Sequence, residues 1–562
     1  MAERKWLNFN SDADWDQKPS SAIKQTLSSD YDSQNKKSGI TRILYRLNGA
    51  WLDKNPFGEQ GFELLELPEA GFNDRVGSPM LIREGIYVAL PSNANYSGFK
   101  ILNSKEKELE GGYKILPAPK PVFENEKEEF IKDMAVYNSN DIYPDNSIEY
   151  TGTENVMCVK CAHLYINPVK YRPLTEKVSV LTEIEIEVTY DFTDGEQSNN
   201  AVINNPLYSS MMLGYNSADM KAGKPRLIII TTKDLEYGVK VYEGVKLHKY
   251  AAEIALIEDI YAAHPGLSGV NAIKMFLKTE HGKSPVDYVL LAGDTNIIPT
   301  PIYNNSDYGI TAYQNYFSND CSGEDTEGSY APLYSLSRIP AIGKDELFRQ
   351  LNIAAYYFRH IGKIRSNVCL TTDASDPFAK NSFRGCVERI AGMISTSFNV
   401  IKRYDEECSK EDLTNAINSG LGFLNFRGHG ANTYWCSTFN YDQDDVKKLD
   451  VGNNTPIVFS IACNTAAIHT GDCLGNTWMQ NYKAVSFLGA SIPSYRSVNN
   501  DFNRHLWEAI NSHNISIAGD IFKWATLTLL KNGSRSAVVV HNVKIYLQLG
   551  DPTVDFKEAR DE

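Results

Sequence analysis

The sequence predicts an all-β N-terminal region, residues 1–224, followed by an α/β domain over residues 225–562 built on a mostly parallel sheet. Three observations lead there. Up to about residue 195 short alternating apolar and polar segments are separated by turn residues, the pattern of antiparallel sheets with one wet face. Asn, Ser and Gly then crowd residues 194–224, which reads as a linker. From Arg226 onward apolar runs of strand length alternate with amphipathic stretches of helix length, as in α/β domains.

Taken in order, the N-terminal strands are expected at 39–47, 61–67, 86–90 and 178–190. In the second domain strands are expected at 227–231, 288–292, 368–371, 422–426, 457–461 and 484–488, with helices at 345–360, 383–395, 410–418 and 502–511. The long excursion from Tyr288 to Asp373 leaves room for irregular strands or for two subdomains, 225–362 and 363–562.

Composition narrows the function. A chain of 562 residues, 42% apolar and 22% charged, can bury more than one core. A net charge of -14 disfavours a broad grip on nucleic acid or anionic lipid, since both need clustered Lys and Arg. No apolar run approaches the ~20 residues that span a bilayer, so neither nucleic acid nor membrane is an expected partner. The first residues carry no apolar signal core, which predicts a cytoplasmic protein or, alternatively, a secreted one whose signal has been trimmed. Nine cysteines, an odd number and scattered, fit reduced thiols. Cys158, Cys161 and His163 offer soft ligands, but a strand carrying two cysteines explains them better than a zinc site, and no metal or cofactor is expected.

In an open α/β sheet, reactive side chains collect just beyond the carboxyl ends of strands. Gly422-Phe423-Leu424-Asn425-Phe426 runs into Arg427-Gly428-His429-Gly430, and Ile457-Val458-Phe459-Ser460-Ile461 runs into Ala462-Cys463-Asn464. Their spacing allows a crossover that would set the two strands parallel, with His429 and Cys463 at one sheet end. A thiolate can attack an amide carbonyl while the imidazole protonates the departing amine. The backbone N–H groups of Gly430 and Cys463 are candidates for the oxyanion hole. A buried strand-end cysteine beside a turn histidine is the bland alternative.

These two segments resemble the His-Gly and Ala-Cys segments of the gingipain family of cysteine peptidases, within the caspase-like clan. Asp287 through Asp294 with Ile298-Pro299, Ser337-Arg338-Ile339-Pro340-Ala341, Ala490-Ser491-Ile492 and Leu549-Gly550-Asp551-Pro552-Thr553 are similar to further family segments. Residues 166–173 and 181–184 resemble the end of gingipain prodomains. Ser337 departs from the usual glycine, and the chain leaves no room for the modules that follow the catalytic domain in secreted members, so export by their route is not expected.

The resemblance implies a caspase-like cysteine endopeptidase zymogen acting on peptides or proteins, with Cys463 as nucleophile, His429 as partner and residues 1–224 as an inhibitory prodomain. It also implies an acidic residue supporting the histidine, for which Asp373 is the nearest match. In the specificity loop Tyr495 would give an aromatic wall and Asp501 a charge for a basic P1 side chain. The aspartate of arginine-specific members would fall near Ser382-Phe383 and is absent. Lys221, Lys224 and Arg226 are candidate processing sites, and His469 is a second-ranked histidine. The alternatives are a catalytically silent scaffold or binding protein of the same fold, and a cysteine hydrolase or transferase acting on something other than peptides.

Overall fold

The computed structural model describes residues 4–9, 21–29, 37–157, 159–193, 206–215, 223–305, 309–320, 329–357, 365–533 and 536–558. Among the described residues, the N-terminal region forms three small sheets. Its longest pairing sets Ala94–Glu108 antiparallel to Lys177–Phe192. Alternation explains the packing. Val178, Val180, Ile184, Ile186, Val188 and Tyr190 turn inward, while Glu183 and Glu187 take up Arg46 and Arg42 on the other face. The short helices Met134–Tyr137 and Pro206–Met211 interrupt this β architecture only locally.

Among the described residues, the second domain is built on one sheet of ten strands. In spatial order they are Ala251–Leu256, Arg226–Thr231, Tyr288–Ala292, Ser335–Ile339, Tyr546–Gly550, Ser486–Ala490, Ile457–Ile461, Phe423–Arg427, Asn367–Thr372 and Asn399–Tyr404. Every neighbouring pair is parallel except Ser486–Ala490 against Tyr546–Gly550. Strands from 225–362 fill one side and strands from 363–562 the other, with Tyr546–Gly550, the last strand in sequence, at the seam between them. The two halves make one continuous sheet.

The six predicted strands of this domain are present with small shifts, the sixth beginning at Ser486 rather than 484. Ser335–Ile339 escapes a reading based on apolar runs because it is polar and yet fully covered. Ser337 Oγ donates to the Gly550 carbonyl (2.7 Å), and the Arg338 guanidinium donates to the Gly293 and Ile298 carbonyls (both 2.9 Å). Helix Ala518–Gly533 has no polar face to betray it. It is buried along its length, because the N-terminal region packs on the side that would otherwise meet solvent.

The two regions share a core. Tyr87, Ala89, Val156, Cys161 and Met212 join Phe502, Trp507 and Trp524 in one apolar cluster. Polar contacts rim it: Arg389 reaches Asp53 (2.8 Å) and Glu66 (3.2 Å), and His513 reaches Glu69 (3.0 Å). His163 is spoken for by Thr151 Oγ1 and the Lys531 carbonyl, both at 2.7 Å, and Cys158 lies outside the described residues. Among the described residues no set of three His, Cys, Asp or Glu is placed to hold a metal ion, and no helix is long and apolar enough to cross a membrane.

At Gly85 the backbone of strand Ile82–Ala89 lies directly against helix Ala518–Gly533. The Gly85 N–H donates to Asn532 Oδ1 (3.1 Å), and a Cβ there would lie 1.8 Å from the Lys531 carbonyl oxygen. Gly85→Ala is therefore expected to prise the strand off the helix and cost about 1–3 kcal/mol. The readout is the thermal midpoint of the whole chain; an unshifted melt would show that this contact is not close in solution.

Candidate active site

Strands Phe423–Arg427 and Ile457–Ile461 lie side by side in parallel, with Arg427 opposite Ile461. Both chains leave the sheet at the same edge, and the Gly428 N–H still donates to the Ile461 carbonyl (3.3 Å). His429 and Cys463 follow there. Two glycines make the approach possible: a Cβ on Gly428 would lie 2.4 Å from the Asp373 Cβ, and one on Gly430 would lie 2.4 Å from the Cys463 carbonyl oxygen. After Cys463 the chain turns through Asn464 at φ 61, a left-handed conformation that asparagine tolerates.

Two aspartates share the support of His429, in a division that differs from the expectation. Asp373 is buried and serves the main chain. Its Oδ2 accepts from the His429 N–H (3.2 Å) and its Oδ1 from the Ser375 N–H (2.7 Å) and hydroxyl (2.6 Å). The ring belongs to Asp376, whose Oδ2 lies 3.0 Å from His429 Nε2. Burial pushes the Asp376 carboxyl up, but its hydrogen bonds to His429 and to backbone N–H groups outweigh that and hold it below its ordinary value. Phe383 meets the imidazole edge to face at 5.2 Å. Asp373 is thus a brace for the strand end, and the Asp373-Ala374-Ser375-Asp376 run was the signal for the second acid.

Cys463 is 8% exposed. Its Sγ accepts from the Ser494 N–H (3.3 Å) and lies 3.6 Å from Ser494 Oγ. Burial, reinforced by the negative charge of Glu124, pushes the thiol up to about 12. Among the described residues no hydrogen bond joins the thiol to the His429 ring; the two share a sheet end, each with its own partner.

The lid over the thiol comes from the N-terminal region. Residues 122–124 lie antiparallel to 494–496: the Glu124 N–H donates to the Ser494 carbonyl (3.1 Å), and the Arg496 N–H donates to the Val122 carbonyl (3.1 Å). Phe123 stacks on Tyr495 with ring centroids 4.1 Å apart. Glu124, fully buried, receives Arg427 Nη1 on its Oε1 at 2.6 Å, accepts from Asn499 Nδ2, and sits 3.8 Å from Arg496 Nε. Asn499 Nδ2 also donates to Ser494 Oγ (2.7 Å), so one network runs from the Glu124 carboxylate to the Cys463 thiol.

The remaining candidates fall elsewhere. Asp501 lies inside helix Arg496–Asn511 and pairs with Arg504 at 3.2 Å; it joins neither the thiol nor the Glu124 network. Ser382 accepts from Asn500 Nδ2 (2.9 Å) and Phe383 lies under the Arg427 guanidinium (4.5 Å). His469 sits in a separate turn, 468–470, where burial lowers its pKa. Arg226 opens the first strand of the second domain and is tied to Glu253 (2.6 Å) and Glu280 (2.5 Å). It belongs to the fold and is no linker residue. Lys221 lies outside the described residues. Sequence reasoning passed over Glu124, Arg427, Arg496 and Asn499 because only tertiary contact brings them together.

Comparison with known proteins yields a consistent picture. The profile described as Peptidase family C25 matches residues 221–557, and that of Propeptide_C25 matches residues 13–222. Gingipain R2 of Porphyromonas gingivalis is 25% identical over 369 residues, covering 62% of this chain and 48% of the relative. Gingipain R1 of the same organism is 26% identical over 340 residues, 56% of this chain and 32% of the relative. The chain thus spans about half, or less, of the length of these relatives. The crystal structure of the Arg specific cysteine proteinase gingipain R shares the fold, with a TM-score of 0.52 and 21% identity over 61% of this chain and 80% of that one. A complex of Porphyromonas gingivalis RgpB pro- and mature domains gives a TM-score of 0.51 with 20% identity over 58% and 79% of the two chains. The fold is caspase-like.

The different tasks of the two aspartates are separable. Asp373→Ala removes a buried carboxylate that ties Ser375 to the His429 main chain, and should cost about 1–3 kcal/mol of stability. Asp376→Ala, at a partly exposed position where water can reach the donors it leaves, should cost less, about 1 kcal/mol or below. Urea unfolding of both variants measures this, and equal losses would refute the division.

Proposed function

Because the chain belongs to peptidase family C25 and carries that family's propeptide as well as its peptidase domain, we propose that it is a cysteine endopeptidase kept latent by its own N-terminal region. What carries this reading is the segment 122–124, bridged antiparallel to 494–496 beside Cys463. That is how an extended peptide substrate binds an exposed backbone edge. The occupant here is part of the same chain, so the cleft is filled and silent.

Catalysis follows from the groups in place. The Cys463 thiolate attacks the scissile carbonyl carbon, and the backbone N–H groups of Gly430 and Cys463 receive the developing oxyanion. Protonated His429 gives its proton to the amine as the C–N bond breaks, leaving a thioester. Water then attacks the thioester, His429 takes up a proton, and a carboxylic acid leaves as the thiol is restored. With Nε2 engaged by Asp376, Nδ1 is the ring nitrogen left for this work, and the carboxylate steadies the imidazolium.

Latency has an electrostatic side. A thiol held up to about 12 is protonated at neutral pH and a poor nucleophile. Withdrawing residues 122–124 readmits water and removes the Glu124 charge, and both changes lower the thiol pKa. A basic P1 preference accords with the Arg-specific description of one relative, but the charges fixed beside Cys463 are cationic and Asp501 is engaged by Arg504. A silent scaffold draws on one observation, the lack of a thiol–imidazole hydrogen bond.

Cys463→Ala should abolish peptide hydrolysis, and His429→Ala should lower kcat/KM by about 10²–10⁴-fold. Alkylation of Cys463 by iodoacetamide should be slow in the uncut chain at neutral pH and rise only in strong alkali, whereas the processed protein should react at neutral pH. Processed protein with a sluggish Cys463 and no hydrolysis of any peptide would favour the silent scaffold.

A further inference from the structure

We infer that the cleft beside Cys463 selects a glutamate side chain on the acyl side of the scissile bond, and that Glu124 is its built-in occupant. This rests on the peptidase reading of Cys463. The Glu124 N–H is held on the Ser494 carbonyl as a substrate's would be, while the Arg496 guanidinium holds the Glu124 carbonyl, so the occupant is seated without its own bond being presented for cleavage. Its side chain then enters a chamber whose walls offer hydrogen-bond donors to it.

Those donors are held in place by groups outside the chamber. Arg427 is completely buried, with Nε on Asn500 Oδ1 (2.9 Å), Nη2 on the Arg496 carbonyl (3.1 Å) and its face on the Phe383 ring (4.5 Å). It cannot swing away when the occupant leaves. Asn499 is fixed just as firmly. Its Oδ1 accepts from Asn542 Nδ2 (2.9 Å) and the Tyr546 hydroxyl (2.8 Å), so its amide turns only N–H groups toward Glu124 and Ser494. Arg496 adds a second buried cation, its Nε 3.8 Å from the other Glu124 oxygen.

Such a chamber discriminates by charge and by length. A lysine or arginine side chain would set a third cation against Arg427 and Arg496 where water is excluded, and would find no acceptor on Asn499. A neutral glutamine would keep one good contact and lose the charge pairing. Aspartate is a methylene shorter, so with the same backbone bonds its carboxylate falls short of Arg427, which glutamate reaches at 2.6 Å. Hydrolysis here consumes one water per bond and releases a peptide ending in glutamate.

The test uses processed wild-type protein and fluorogenic peptides that differ only at P1. Glutamate is expected to exceed arginine and lysine in kcat/KM by roughly a hundredfold or more. In the uncut chain, Glu124→Gln and Glu124→Arg should each speed iodoacetamide labelling of Cys463 by about tenfold or more, the arginine variant more strongly. Cys463-dependent cleavage after arginine or lysine with glutamate peptides spared would overturn the inference and leave the peptidase reading standing, as would a Glu124→Arg chain more latent than wild type. No cleavage of any peptide, with no labelling of Cys463 in processed protein, would remove both.

Discussion

The site is organised around one buried cation. Arg427 ends the strand that delivers His429, and its guanidinium contacts the Cys463 strand at Ile461, the first turn of helix Arg496–Asn511 at the Arg496 carbonyl, and Phe383 beneath His429. A fully buried guanidinium without a counter-charge would cost several kcal/mol. The carboxylate that meets this one belongs to Glu124, some three hundred positions earlier in the chain. The same ion pair therefore ties the docking of the N-terminal region to the reactive end of the sheet.

The surrounding architecture makes that pairing rigid. Helix Ala518–Gly533 lies between the second domain and the N-terminal strand Ile82–Ala89, with Gly85 against its Lys531 carbonyl and Asn532 bridging to Glu69 (2.8 Å). Charged side chains at this boundary are shared in networks: Arg389 serves Asp53 and Glu66, and Glu508 serves Arg504 and His505. Burial pushes the Glu508 carboxyl up, but Arg504 and His505 outweigh it and hold the group below its ordinary range. A surface that might have been simply apolar is instead registered by charge, which fixes where residues 122–124 fall.

Much of this was legible in the sequence. Apolar runs ending in His429 and Cys463 revealed the sheet end, because parallel strands covered on both faces are written as unbroken apolar stretches. Ser335–Ile339 was not legible, since its buried polar groups satisfy one another only through Gly293, Ile298 and Gly550. Asp376 was missed because the residue nearest the strand, Asp373, spends its carboxylate on main-chain donors. Glu124 carries no local mark at all: in Phe123-Glu124-Asn125-Glu126 it is one acid among several, and its burial is decided by Arg427 and Asn499.

The shared core has a kinetic meaning. Tyr87, Cys161 and Met212 pack with Trp507 and Trp524 whether or not the backbone between the regions is continuous. A single cut there converts one molecule into a bimolecular complex, and the complex obeys mass action: concentrated, it stays closed; diluted, it parts. Scission and release are then separate events, and the interval between them is set by how far the nicked protein spreads from where it was made.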